Sequence, residues 1–445
     1  MKLAFVRLAC LIAGLLLSVC CAARSVDEPS HNASELNAEG VAHLHKKQYD
    51  EAILLFRQAL QAQPDFVDAL DNLGKALEAS GKDAEAVADF DKALKLAPQN
   101  AAVHADKGLA LFHEGKYEES AASYRQALEI HKDFPEAQNG LGAALLHLGK
   151  TDEAIAAFRS AVALNPKNVD ALNNLGSALL SEKKPAEAVP YLRKAHSLQP
   201  NQSDILENYA HALQVSGQTH EAITAYHKFT AKHPDQAGGW TQLGQLYYET
   251  KRYDQAIGAF ERSLALKSDQ PEVLLALGHA QLDRGNTAEA VQSFEKCLAL
   301  KPDEFYALYA LGNASYAQKD YAKAASYYEK ASAAKPDFAD ALVGLGNSQL
   351  AANQFNEAMA TYQKAVALKP DDANVRFNQG TALFNAGKYQ EAAVSYREAV
   401  RLNPGYAHAH YNLGMALLRL NDQKGAQAEF AEAQRLDASL KPPGK

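Results

Sequence analysis

Apolar residues recur along this chain in two alternating stripes, and the pair of stripes returns every 34 residues. In the segment from Val169 to Gln202, Leu172, Leu175 and Leu179 step by three and four, the spacing of one helix face. Val87, Phe90 and Leu94 form the second kind of stripe in the segment from Val67 to Asn100. Turn residues such as Ser80-Gly81-Lys82 and Glu114-Gly115-Lys116 stand between the stripes, so each segment predicts helix, turn, helix. Stepping 34 residues from Pro64 reaches Pro98, Lys132, Pro166, Pro200, Pro234, Ser268, Pro302, Pro336, Pro370 and Pro404. Proline there stops the second helix. Asp or Asn follows in eight of these eleven places and is the expected N-cap of the next helix.

Twelve windows fit without insertion: 33–66, 67–100, 101–134, 135–168, 169–202, 203–236, 237–270, 271–304, 305–338, 339–372, 373–406 and 407–440. Their eighth position is Gly in all but Ala210, although Gly costs a helix about 1 kcal/mol relative to Ala. Such a recurrence predicts close approach of another helix. The twentieth position is Ala except at Ser120, and the twenty-seventh is Ala except at Phe229, Ser263 and Cys297. Small residues on both segments predict a tight antiparallel crossing, and units that bury their faces only against neighbours form one elongated array.

The Leu-Gly, Tyr or Leu, Ala, Phe or Tyr, Ala and Pro pattern resembles the tetratricopeptide repeat. The resemblance implies an all-α fold, a right-handed α-solenoid superhelix of helix hairpins whose first helices line a concave groove. Polar Glu39 and His43 in the first window, and Gln427, Glu429, Glu432 and Gln434 in the last, fit terminal caps. The middle is irregular: Pro190 lies inside a helix, Ala210 and Phe229 replace small residues, and Gly238-Gly239 opens a helix. These breakers predict either a hinge or pitch change between Ser181 and Trp240, or local repacking alone.

The flanks and the composition narrow the setting. Residues 1–23 read as an export signal, with Lys2 and Arg7 before the apolar run Leu8 to Val19. Leu17-Ser18-Val19-Cys20 resembles a lipoprotein box and makes Cys20 the candidate lipidation site; cleavage after Ala22 or Ala23, or a retained anchor, are the other outcomes. Residues 24–32 form a linker and 441–445 a tail, so no second domain is expected. The chain is therefore expected to be exported: periplasmic, envelope-anchored or secreted, with membrane contact only through that N-terminus. A net charge of -8 without a basic run argues against nucleic acid. Cys297 alone lies in the repeats and reads as a small buried side chain.

No HExxH, GxSxG, P-loop or CxxC occurs, so no catalytic, cofactor or metal residue is expected and the protein reads as a non-enzyme. Function is then expected from the groove, at window positions two, five, six, nine, twelve and thirteen. Position six carries Asn72, Asn174, Asn208, Asn378 and Asn412, and positions five and nine add Asn139, Asn173, Asn313 and Asn347. Amides can hold an extended peptide backbone of any sequence. The series resembles the asparagine ladder in the repeat superhelix of O-linked N-acetylglucosamine transferases, interrupted here from the seventh window to the tenth, with no counterpart of their catalytic domain. Equally, Asn-Leu-Gly is a favourable local solution.

Tyr248, Tyr306, Tyr309, Tyr316, Phe377 and Tyr411 also fall on groove positions, either as partner anchors or as packing between first helices, whereas Trp240 and Tyr247 fall on core positions. Acidic residues at position two, such as Glu136 and Asp170, suit either a basic peptide or the helix dipole. The Lys that a chaperone-type carboxylate clamp would need at position five is absent. The expected function is a protein-protein interaction scaffold of the cell envelope binding extended peptide segments or subunits. The alternative is a regulatory or targeting subunit of a separately encoded enzyme, such as one of polysaccharide synthesis or export.

Overall fold

A computed structural model describes residues 32–443, so the signal and lipidation residues, Cys20 included, lie outside the described residues. All regular structure among the described residues is helical: 24 helices, two per 34-residue window. First helices such as Val67–Ala79 begin at window position one, and second helices such as Asp83–Leu96 begin at position seventeen. The windows are therefore structural repeats, numbered one to twelve below. None of these helices is long and apolar enough to cross a membrane.

The chain divides into two compact units, one ending at Gln218 and one beginning at Thr219. That division falls between the two helices of repeat six, inside the stretch where the breakers cluster. In the first unit the first helices of repeats one to five each pack on their own second helix and also touch the first helix of the next repeat. First helices thus lie side by side and form a continuous face. The same holds in the second unit for repeats seven and eight, and from repeat nine through twelve.

Each hairpin that lies within one unit closes over one large side chain at position twenty-four. A Cβ on Gly74 would stand 2.5 Å from the Phe90 ring, and one on Gly278 2.5 Å from Phe294. What approaches the recurrent glycine is thus a ring, fully enclosed in Phe90. Burying such a ring contributes about 1.5–3 kcal/mol, more than the helix loses through Gly. Leu192 fills the same place under Gly176.

The turn inside each hairpin is equally uniform. Position fifteen has positive φ in all repeats, whether it is Gly81 and Gly115 at 77° or Lys47 and Asn353 near 60°. The next amide, that of Lys82, donates to the Leu77 carbonyl at 2.8 Å, which closes a Schellman-type end.

Two expectations need correction. The Asp or Asn after each Pro is not the N-cap, because helices begin one residue later than that requires. Pro64 and Asp65 occupy the centre of a β-turn closed by Phe66 N–H to Gln63 C=O at 3.2 Å, and the cap falls to position thirty-four. Asn100, Asn168 and Asp372 cap there through their side chains. Trp240 is only half-buried, because its Nε1 donates to the Pro234 carbonyl at 3.1 Å near the surface. The same bridge from position four to the preceding Pro carbonyl is made by His104 at 3.0 Å, Arg376 at 3.3 Å and His410 at 3.1 Å.

Two of the breakers lie within continuous helices. Pro185–Leu198 stays one helix through Pro190, and Ala237–Glu249 begins across the two glycines. Gly239 answers Phe229: a Cβ there would lie 2.5 Å from the Phe229 ring, which is fully buried. The oversized residue at position twenty-seven is accommodated by a missing side chain on the next first helix. Cys297 is buried as expected, with Sγ 3.2 Å from the Pro271 carbonyl.

Candidate functional site

The face formed by first helices carries the expected amides, and in the first unit they bond to one another. Asn72 donates to Asn37 at 3.1 Å, Asn174 to Asn139 at 3.0 Å and Asn208 to Asn173 at 3.0 Å. Each bond joins position six to position five of the preceding repeat, 35 residues back. Asn208 also reaches Ser177 Oγ at 3.2 Å. An amide has two donors and two acceptor sites. Asn72 and Asn174 therefore each keep their oxygen and one N–H, whereas Asn208, with both N–H groups engaged, keeps its oxygen.

In the second unit the amides serve the buried tyrosines instead. Tyr328 donates to Asn313 and Tyr362 to Asn347, each at 2.6 Å. Asn378 adds a bond to the same Asn347 oxygen at 3.2 Å. With both acceptor sites used, Asn347 has only N–H groups for a partner. Asn412 lies close enough to the Tyr396 hydroxyl to oppose the rise that burial gives its pKa, and that hydroxyl donates to Thr381 at 3.2 Å. One break in the amide series has a steric cause: a Cβ on Gly344, at position six, would lie 2.6 Å from the Tyr328 ring.

The aromatic residues divide into packed and exposed ones. Tyr309 sits between Tyr328 and Phe338, with centroids at 5.7 and 5.0 Å. Phe377 lies between Tyr396 and Tyr406, and Tyr411 against Phe430. These three hold hairpins together. Tyr306, whose ring is tilted against Phe305 with centroids 4.0 Å apart, and Tyr316 are 46% and 38% exposed and so have surface left for a partner. Tyr248 donates to Asp283 at 2.7 Å, and burial together with that carboxylate pushes its phenol up to about 12.

Side chains that sequence reasoning did not assemble gather on the face of repeats two to five. Lys75 lies 2.6 Å from Asp71 and 3.1 Å from Asp106. Burial raises the Asp106 carboxyl, and Lys75 opposes the shift. Burial alone would lower Lys75, but the two carboxylates hold it above its usual range. His113 Nδ1 is 3.1 Å from Glu78 and 3.5 Å from Asp83, a triad whose ligand atoms lie within 4.8 Å of one another. Beside these groups opens a pocket of about 430 Å³, lined by Asp106, Glu136, Asp170, Tyr124, Phe112 and Phe134 among others. The available signals were Asp106 and Gly140, which stand at position six where Asn stands in five other repeats.

A larger cavity, about 740 Å³, lies away from this face, between the second helices of repeats seven and eight. In the first unit, Arg57–Glu85, Arg125–Glu153 and Arg159–Glu187 bridge consecutive second helices at 2.9, 3.3 and 2.8 Å. Glu261 and Glu289 occupy the matching positions here and line the cavity. Two like charges cannot close it.

Comparison with known proteins supplies the family context. Models described as Tetratricopeptide repeat match residues 27–65, 37–101, 72–133, 105–168 and 140–203, then 179–246, 315–376, 361–393 and 407–440. One described as TPR repeat matches 380–421, and one described as Cytochrome c-type biogenesis protein H TPR domain matches 228–337. No curated protein matches the chain. Among solved structures, MamA 41-end from Desulfovibrio magneticus RS-1 is 24% identical, covering 38% of this chain and 96% of its own, with a TM-score of 0.36. The APC/C hetero-tetramer Cut9-Hcn1 is 14% identical over 91% of this chain and 94% of its own, with a TM-score of 0.37. YrrB, described as a TPR protein with an unusual peptide-binding site, is 20% identical over 50% of this chain and 96% of its own, with a TM-score of 0.32.

Proposed function

The chain is a tetratricopeptide repeat protein, and on that premise we propose that it is a non-enzymatic interaction scaffold of the cell envelope. It holds extended peptide segments, or subunits of an assembly, against the face made by its first helices. The observation that carries this reading is the capacity left in the amide pairs. Asn72 and Asn174 each give one N–H to a neighbouring repeat and Asn208 gives both, and the free N–H groups of the first two and the oxygens of all three suit a peptide backbone. Because the pairs recur at multiples of the 34-residue repeat, successive amides can follow an extended segment along the array. The match of residues 228–337 to a domain described for a biogenesis protein also supports an assembly role. The envelope setting rests on Lys2, Arg7 and the apolar run Leu8 to Val19.

Cross-linking in intact cells, followed by capture of the full-length chain and identification of attached proteins, tests the scaffold. A variant with Asn174→Ala and Asn208→Ala should capture less of the same partner while its thermal midpoint falls by only a few degrees, as for loss of a partly exposed hydrogen bond of about 1 kcal/mol. Unchanged capture would refute the amide face. Mass spectrometry of the mature N-terminus tests export, and an intact Met1 in the purified protein would refute it.

A further inference from the structure

We propose that the pocket on the face of repeats three to five receives the basic side chain, arginine or lysine, of a segment of another protein. The proposal rests on the scaffold reading above and specifies the chemistry of its partner.

The walls come from the first helices Ala101–His113, Pro135–His147 and Val169–Ser181 and from Tyr124 on the second helix Tyr117–Ile130. Three carboxylates face the space: Asp106, Glu136 and Asp170. Glu136 and Asp170 are exposed and make no ion pair among the described residues. Asp106 shares one ammonium, Lys75, with Asp71. With Glu78 and Asp83 beside the single imidazole of His113, negative groups around the pocket outnumber positive ones. Phe112 and Phe134 add aromatic faces, against which a guanidinium or an ammonium stem can lie.

Tyr124 provides an independent observation. Only 4% of it is exposed. Its counterparts Tyr328, Tyr362 and Tyr396 each donate to the residue at position nine of their own repeat. In repeat three that residue is Leu109, which accepts nothing, and no partner for the Tyr124 hydroxyl occurs among the described residues. Gly140 keeps the hydroxyl accessible, since a Cβ there would stand 2.6 Å from it. The Tyr124 ring is buried, but its hydroxyl lines the pocket and is free to bond what enters it. An incoming side chain can donate to this oxygen, and the phenol proton can go to a peptide carbonyl beside it.

The helix dipole is the competing account of Glu136 and Asp170, which lie in first turns. It accounts for neither Asp106 in mid-helix nor the open phenol. The two accounts also predict different outcomes. Under the dipole account, Glu136→Gln with Asp170→Asn lowers the thermal midpoint and leaves binding untouched.

The test is selection of random heptapeptides on the full-length protein, then fluorescence anisotropy of the selected peptides against variants. Selected peptides should be rich in Arg or Lys and lose affinity as salt rises. The Glu136→Gln, Asp170→Asn double variant should weaken them about tenfold or more, and Tyr124→Phe about threefold, with folding intact. Basic peptides that bind the double variant equally well would overturn the proposal, reducing the selection to general attraction by an acidic chain. Non-basic peptides that depend on Asn174 and Asn208 would overturn the pocket while leaving the scaffold face standing. If no peptide binds, the pocket proposal fails, and capture after cross-linking in cells decides the scaffold separately.

Discussion

Replacing Gly239 by Ala tests the packing at the most irregular repeat junction. The new methyl would lie 2.5 and 2.7 Å from two Phe229 ring carbons and 3.3 Å from the Thr230 Cγ2. Phe229 is fully buried and has no space to yield. Overpacking of this kind costs about 1–3 kcal/mol, against at most about 1 kcal/mol gained from the better helix former. The variant should therefore lose up to about 2 kcal/mol of local stability. Phe229→Ala alone should cost about 3–5 kcal/mol through the cavity it leaves. The double variant restores Ala at both positions, the pairing of Ala161 with Ala171, both of which are fully buried. Its cost should fall about 1–3 kcal/mol short of the sum of the single changes. Trp240, the sole tryptophan, is adjacent to the site, so urea unfolding followed by its fluorescence reads this junction and not the whole array. Additive costs within about 0.5 kcal/mol, or a Gly239→Ala variant more stable than the parent, would refute the reasoning.

Three further outcomes follow from the same packing. Tyr328→Phe and Tyr362→Phe each remove a 2.6 Å bond to an amide oxygen and should cost about 1 kcal/mol, whereas Tyr124→Phe should cost almost nothing; calorimetry of the three variants checks the contrast. His279 packs edge-on to Phe294, and burial lowers its ring below the usual range while Asp283 opposes the shift. The unfolded chain therefore takes up that proton first, so stability present above about pH 6.5 is lost as pH falls below it. His279→Gln should reduce the fall in urea midpoint between about pH 7.5 and 5.5, and an equal fall in both proteins would count against the assignment. Burial pushes the Cys297 thiol up to about 11, so a thiol reagent near neutral pH should label it, as located by peptide mass spectrometry, only once urea has unfolded its repeat.

The repeat itself was readable because its signals are local and recur. Gly at position eight, Ala at twenty and Pro at thirty-two each answer a steric demand that is the same in every hairpin, and together they fix the period, the two helices and the turn. Reading Asp65 and its equivalents as caps failed by one residue, since a β-turn around Pro and Asp was not distinguished from a helix start. Positions five and six do meet across neighbouring first helices, as Asn37 meets Asn72, but occupancy is not availability. Whether Tyr309 faces a partner or Phe338 depends on a ring 29 residues away.

By itself, then, the sequence determined that this protein is a tandem array of helix hairpins with twelve copies of one packing solution. Short-range sterics suffice for that, and twelve repetitions make the pattern hard to mistake. Tertiary structure alone decided where hydrogen-bonding capacity remains. It paired Asn72 with Asn37, committed both acceptor sites of Asn347, matched Phe229 to Gly239 and left the Tyr124 hydroxyl without a partner. Those outcomes turn on contacts between neighbouring repeats a few ångströms across, and one methyl group or one hydroxyl changes them without altering the period.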